Sequence, residues 1–235
     1  RYMVENSVGR IWIEHLRAVD PTTDEKTTAE RFGWKYYLPE AEQEEEVNIK
    51  LAEIRTTYKD LKPTDITCID PCMGSGHILI AMFDVLMDIY ESAGYDKREA
   101  AFEIVKHNIH GLDIDQRAYQ LAYFAVMMKA RSYNRRALTK GVSNNLAVVE
   151  ESNSIDKFAC GDLTTDSEQN KIGEYLVEAY KDAQEIGTLQ TIEKKDYNGF
   201  VAYLNNIDNS AGQIDLFSTA WLNDTLPQMV QLAKQ

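Results

Sequence analysis

The chain has 235 residues, 44% of them hydrophobic, and a formal net charge of -13, enough to bury a full core as one domain with room for an N-terminal appendage. It has no apolar run of about 18 residues, the length that spans a bilayer. Its acids are spread along the chain, which argues against a broad nucleic-acid-binding face. Three cysteines, Cys68, Cys72 and Cys160, are too few for a disulfide framework and lack the second Cys/His pair of a zinc site. They point to a reducing, cytoplasmic setting. No leader pattern opens the sequence, and the start at Arg1 rather than Met leads to the expectation of an excised piece.

Val4, Val8, Ile11, Trp12, Leu16 and Val19 fall at helical spacing, so an amphipathic helix is expected over residues 3–19. Residues 20–46 read as a polar connection with an aromatic island, Phe32-Gly33-Trp34-Lys35-Tyr36-Tyr37. The Glu-rich run from Glu40 to Glu46 reads as the solvated start or face of a helix rather than an interaction tail. Val47, Leu51, Ile54 and Tyr58 mark a second helix, which Lys62-Pro63-Thr64 ends. Residues 1–62 are therefore expected to be a helical region in front of a domain spanning 63–235.

That domain opens on Ile66-Thr67-Cys68-Ile69-Asp70, a short apolar run ending on an acid, and then turns through Pro71-Cys72-Met73-Gly74-Ser75-Gly76. The run predicts a buried strand, and Pro71 stops its ladder. Gly74 and Gly76 permit backbone angles and a close approach that a Cβ would block. Ile78, Leu79, Met82, Val85, Leu86 and Ile89 then predict a helix from Gly76 to about Ser92, closed by Gly94. A further helix over Lys97 to His107, with Ala101, Ile104 and Val105 inward, leads to a second strand, Ile109 to Asp113. Strand, glycine turn, helix, strand and acid is the plan of half a nucleotide-binding α/β sheet.

The ligand class follows from the charges. No Gly-Lys-Ser/Thr is present to hold a β/γ-phosphate, so the P-loop reading fails. The acid of an NAD site stands about 20 residues after the glycines, whereas Asp113 is further on, and Asp70 at the loop entrance would repel a pyrophosphate. An acid there suits a cationic ligand such as S-adenosylmethionine, which carries an ammonium and a sulfonium and no phosphate. Asp113 could accept both hydroxyls of a ribose, and Ile114 is placed to cover a base. His77, in the first helical turn, reads as a capping or packing residue. Asp113 and Asp115 form an Asp-x-Asp without the further ligands a metal would need.

A helix from about Gln116 to Arg131 is expected to bury Ala118, Leu121, Ala122 and Ala125. Lys129-Ala130-Arg131 with Arg135-Arg136 is a modest basic cluster that equally suits a helix end. Residues 134–154 read as a polar loop. A third strand is expected at Ile155 to Cys160, followed by Gly161-Asp162-Leu163. Asp162 is then either an acceptor for an adenine amino group or a turn acid with no ligand. Residues 171–187 predict a helix stopped by Gly187. Residues 196–234 predict shorter helices, interrupted at Asn205 to Gly212 and kinked or started at Pro227.

Asp70-Pro71-Cys72-Met73-Gly74-Ser75-Gly76-His77 resembles motif I of the amino-type DNA methyltransferases, and Gly111-Leu112-Asp113-Ile114-Asp115 resembles their motif II. With Asn6 to Trp12 and Trp34 to Glu40, the first 130 or so residues are similar to the adenine-specific DNA methyltransferases of the PglX type, found in phage-defence (BREX) systems. The resemblance implies an incomplete α/β, Rossmann-like methyltransferase sheet with an N-terminal helical extension. It implies S-adenosylmethionine as donor and adenine N6 of DNA as acceptor. By similarity Asp70, Pro71, Met73, Gly74, Ser75 and Gly76 would hold the methionine part, Asp113 the ribose, Ile114 the adenine, and Asp162 would fit a third motif. The family's Asn/Asp-Pro-Pro-Tyr/Phe, which activates the amine and stacks on a flipped base, has no counterpart, because all five prolines are isolated. The expectation is a cofactor-binding fragment, inactive alone, whose parent grips DNA mainly elsewhere and has no membrane partner. Other defence subunits are possible partners. Two other readings stay open: a methyltransferase of RNA, protein or a small molecule, and a non-catalytic assembly module.

Overall fold

The computed structural model describes residues 1–139, 144–155, 167–187, 190–210 and 218–234. The helices up to the sheet are α1 (Tyr2–Glu5), α2 (Val8–Val19), α3 (Glu25–Arg31) and α4 (Glu45–Thr57). Strands β1 (Cys68–Asp70), β2 (Ile109–Asp113) and β3 (Asn145–Val148) alternate with α5 (His77–Ser92), α6 (Lys97–Glu103) and α7 (Gln116–Tyr133). After them come α8 (Ser167–Ala179), α9 (Ala183–Ile186), α10 (Tyr197–Ser210) and α11 (Ser218–Lys234).

The strands form one sheet in the order β1-β2-β3. β1 and β2 are parallel, with Cys68 opposite Ile109 and Asp70 opposite Gly111. Asn145 donates to the Ile109 carbonyl at one end of β2, and the Val149 N–H donates to the Asp113 carbonyl at the other. β3 therefore runs the same way. Parallel neighbours need long crossovers, and the helical stretches between the strands supply them. The chain divides into two compact units: Arg1–Leu112 with Gln116–Leu146, and Asp113–Asp115 with Ala147–Gln235.

The first unit is built around α5. Leu79, Phe83, Val85, Leu86, Ile89 and Tyr90 have no exposed surface, because α1, α2, α6, α7 and β1 all pack on this helix. Burying each such side chain contributes about 1.5–3 kcal/mol. The N-terminal residues are part of this core. Trp12 Nε1 donates to Ser92 Oγ at 3.0 Å, and Trp34 Nε1 donates to Asp88 at 2.9 Å. Burial pushes the Asp88 carboxyl above its ordinary range, with the Trp34 N–H opposing it. Gly9 makes room for this clamp, since a Cβ there would lie 2.9 Å from the Trp34 ring.

Several local expectations need correction. The predicted helix over 3–19 breaks at Asn6-Ser7. Asn6 donates to the Tyr2 and Tyr36 carbonyls and accepts from the Leu38 N–H, so its side chain competes with the helix ladder. The expected connection over 20–46 contains α3, which Asp24 caps by accepting from the Thr27 N–H at 2.8 Å. The helix over 97–107 closes in a π-turn, Ile104–Asn108. Residues 134–154, read as a loop, contain β3. Of the strand expected at 155–160, Ile155 lies outside any strand and 156–160 fall outside the described residues. Leu121, expected inward, is 58% exposed, because Ala122, Val126 and Ala130 form the buried stripe of α7.

In the second unit Leu176, Val177, Tyr180, Phe200, Leu204, Met229 and Leu232 are buried. The helix expected over 171–187 is broken between α8 and α9 by Asp182, which has a φ of 53°. Asn153 braces that strained residue by donating to its carboxylate and accepting its N–H, at 3.0 and 3.1 Å. Residues 205–210, expected to interrupt the helices, belong to α10, and Pro227 lies inside α11.

Asn108 fixes the entry to the sheet. It is fully buried, donates to the Pro63 and Ile66 carbonyls at 2.7 Å each, and accepts from the Tyr90 hydroxyl at 2.9 Å. Leaving a buried polar group unpaired costs about 1–3 kcal/mol. Asn108→Ala is therefore expected to lower the urea-unfolding free energy by about 3 kcal/mol. A loss below about 1 kcal/mol would show that these carbonyls find other donors.

Candidate functional site

β1 ends on Asp70, and the chain turns there because Pro71 offers no N–H. The Cys72 N–H donates to Asp70 Oδ1 at 3.2 Å, closing an Asx-type turn. The Met73 N–H donates to the Leu112 carbonyl at 2.9 Å, and the Gly76 N–H to the Met73 carbonyl at 2.8 Å. Met73 is buried under the loop. It fits because residue 111 is glycine, where a Cβ would lie 2.6 Å from the Met73 sulfur. Pro71, Cys72 and Ser75 are exposed. The loop thus has two fixed feet, Met73 and Gly76, and an open rim.

Both loop glycines are left-handed, Gly74 at φ +52° and Gly76 at φ +85°, but their surroundings differ. A Cβ on Gly74 would meet nothing within 4 Å, whereas one on Gly76 would lie 3.0 Å from Ala122 Cα. Gly74 therefore leaves open space above the loop. Gly76 lets the first turn of α5 come down against α7. The first N–H groups of a helix have no intrahelical acceptors, so a donor set for an anionic group stands next to Asp70.

Asp70 carries the unusual feature. It is 6% exposed, yet its Oδ2 is buried with no hydrogen-bond partner among the described residues. A buried ionised carboxylate with an empty lone pair is costly. A cationic N–H donor would fill that lone pair. The donor set fits an amino-acid headgroup: a carboxylate for its ammonium, and helix N–H groups for its carboxylate.

Of the predicted site residues, Asp70, Pro71, Met73, Gly74, Ser75 and Gly76 lie together in this strand–loop–helix corner. β2 continues two residues past Gly111 and ends on Asp113. In the second unit, Asp113 Oδ1 accepts from the Asp115 N–H at 2.9 Å, and Ile114 is 52% exposed. Asp162 lies outside the described residues. His77 is exposed at the start of α5.

Sequence reasoning missed Gly111 and Ala122 as the partners that let the loop close. It also missed β3, whose end carries Val149-Glu150-Glu151. Glu151 accepts from the Gln184 N–H and the Asn153 amide at 3.3 and 3.1 Å. The apolar run Leu146 to Val149 was the available signal.

A second acidic convergence has a structural explanation. The carboxylates of Glu14, Glu25 and Glu40 approach within 4.8 Å of one another, but Arg17 pairs with all three and Arg55 with Glu14 and Glu40. The network ties α2, α3 and α4. Cavities of about 330 Å³ open beside Trp34 and beside α4; neither is lined by residues 70–76. No helix of the described residues is long and apolar enough to cross a membrane.

No protein-family profile matches the chain. It is similar to the adenine-specific methyltransferase PglX of Lacticaseibacillus casei (strain Zhang), with 37% identity over 218 residues, covering 91% of this chain and 17% of the relative. It is also similar to the adenine-specific methyltransferase BrxX of Escherichia coli O9:H4 (strain HS), with 32% identity over 253 residues, covering 98% of this chain and 20% of the relative. The chain thus spans no more than a fifth of the length of these curated relatives.

The two loop glycines give a paired test. An L-residue in the left-handed region costs about 1–2 kcal/mol, and overpacking adds about 1–3 kcal/mol. Gly74→Ala is expected to show only the first effect and Gly76→Ala both. Equal losses in thermal unfolding would mean that α5 does not depend on close approach to Ala122.

Proposed function

We propose that this chain, which belongs with the PglX-type adenine-specific methyltransferases and corresponds to at most a fifth of the relatives' length, is the S-adenosylmethionine-binding part of a DNA adenine-N6 methyltransferase in a phage-defence or restriction-modification system. The buried Oδ2 of Asp70, which has no partner among the described residues, carries the reading. In it, residues 63–235 form the cofactor-binding domain and residues 1–62 its helical support.

Asp70 takes the ammonium of the cofactor's amino-acid part. Ser75 and the first turn of α5 take its carboxylate, while Pro71, Met73, Gly74 and Gly76 shape the loop that holds its methionine part. Asp113 takes the ribose hydroxyls and Ile114 covers the adenine. The third position belongs to Asp162 or to the acids at the end of β3. S-adenosylmethionine would supply an activated methyl group. The residues here bind and orient it and leave the rim of the loop open.

The 235 residues contain no Asn/Asp-Pro-Pro-Tyr/Phe, so in this reading the segment transfers no methyl group alone. The net charge of -13 agrees with a segment that attracts a cationic cofactor and leaves the DNA phosphates to other parts of the parent. Other defence-system subunits are further candidate partners.

Hydrogen bonds to charged groups contribute about 1.5–3 kcal/mol. Asp70→Asn is accordingly expected to weaken S-adenosylmethionine binding about 10- to 100-fold by calorimetric titration. Asp113→Ala is expected to weaken binding as well. Binding by either variant equal to that of the unsubstituted chain would falsify the assignment of that residue.

A further inference from the structure

Helix α4 is amphipathic without being buried. Val47, Leu51, Ile54 and Tyr58 share one face, spaced four, three and four residues apart, yet no residue of the helix is fully buried. Val47 is 40% exposed and Ile54 51%. The main packing partner of α4 is α2, and the two helices do not close on each other. Arg55 reaches from α4 to Glu14 of α2 and donates to Glu40 at 3.1 Å. Beside this ion-paired bridge lies a cavity of about 330 Å³. Its apolar lining is Ile11 of α2 with Leu51, Ile54 and Tyr58 of α4. Packed helices normally leave few gaps larger than a water molecule, so a cavity of this size next to an exposed apolar row is a groove with room for large side chains.

The charges around the groove decide what fits it. Residues 40–46 include Glu40, Glu42, Glu44, Glu45 and Glu46. Glu40 lines the cavity, and Glu42, Glu44, Glu45, Glu46 and Glu53 are exposed. Glu46 and Glu53 each precede a residue of the apolar row by one position and so border it, with Lys50 between them. Such a rim repels the phosphates of nucleic acids and of anionic lipids. In a symmetric pair of copies it would set the same glutamates against each other. It favours Lys and Arg. An apolar row with a charged rim, rather than a wholly apolar face, is the make-up of a surface that meets a separate partner.

We propose that the groove between α2 and α4 docks a basic amphipathic helix of another protein. Helix-in-groove recognition uses apolar anchors repeated at about one-turn spacing, which matches the row on α4. The partner's apolar face enters the cavity beside Ile11 and Leu51 and covers Val47 and Ile54. Its Lys and Arg side chains meet the glutamates of residues 42–46 and Glu53. None of these residues belongs to the proposed cofactor site, so the groove stands or fails without it.

The test uses the 235-residue chain and a labelled peptide with Leu on one helical face and Lys on the other. One control peptide has Glu in place of Lys, and a second has the same composition scrambled so that no apolar face forms. Fluorescence anisotropy is expected to show binding of the first peptide alone, weakened by added salt. Val47→Ser with Ile54→Ser should weaken it about tenfold or more, and so should Glu42→Gln with Glu46→Gln and Glu53→Gln. Leu121→Ser with Phe124→Ser, at exposed positions of α7, should leave it unchanged. A photo-crosslinker at a Leu position of the peptide should attach to Ile11, Leu51, Ile54 or Tyr58, a readout that needs no substitution in the chain. Equal binding of the scrambled peptide, equal binding by the Val47 and Ile54 variant, or crosslinks only outside α2 and α4 overturns the proposal. So does self-association of the chain in sedimentation that Ile54→Ser abolishes, which would make a second copy the occupant.

Discussion

A carboxylate taken out of water is expensive to keep ionised unless its lone pairs are filled. Asp70 has been taken out of water, and among the described residues only one of its oxygens is filled, by the Cys72 N–H. The fold holds it there through the shortest segment available: a three-residue strand, a proline that forbids continuation, and a turn pinned at Met73. A ligand with a cationic donor would complete the hydrogen-bond set that the described residues leave open.

The rest of the first unit keeps that corner rigid. α5 is buried along most of its length, so its first turn cannot move away from β1 without opening the core. Asn108 locks the start of β1 to α5 through Tyr90, and Gly111 and Ala122 remove the side-chain bulk that would push the loop outward. Trp12 and Trp34 hold the N-terminal segments onto the far half of α5, and the Arg17 and Arg55 network binds those segments to each other. These contacts make residues 1–62 a support for the helix that the glycine loop opens, rather than a separate appendage.

The strand–loop–helix corner was legible in the sequence because its determinants are local. Pro71, the two glycines and the apolar spacing from Leu79 to Ile89 are read within a few residues of where they act, and β2 at Ile109–Asp113 was legible for the same reason. What was not legible depends on contacts between distant residues. The break at Asn6 arises from a clamp on Tyr36 and Leu38 some thirty residues away. Leu121 looked inward by spacing, but only its expected neighbour Ala122 is buried, where it faces Gly76. β3 was hidden among polar neighbours, since four strand residues carry little periodicity. That Asp70 Oδ2 lacks a partner among the described residues could not be read at all, because it depends on packing between distant segments.

The central claim is that Asp70 recognises the ammonium of an amino-acid headgroup joined to a nucleoside. It is tested most directly by titrating the chain and Asp70→Asn with S-adenosylhomocysteine and with 5′-methylthioadenosine, which keeps the nucleoside and lacks the headgroup. The account predicts that the unsubstituted chain prefers S-adenosylhomocysteine about 10- to 100-fold and that the variant loses most of this preference. A preference of equal size in the variant would contradict it.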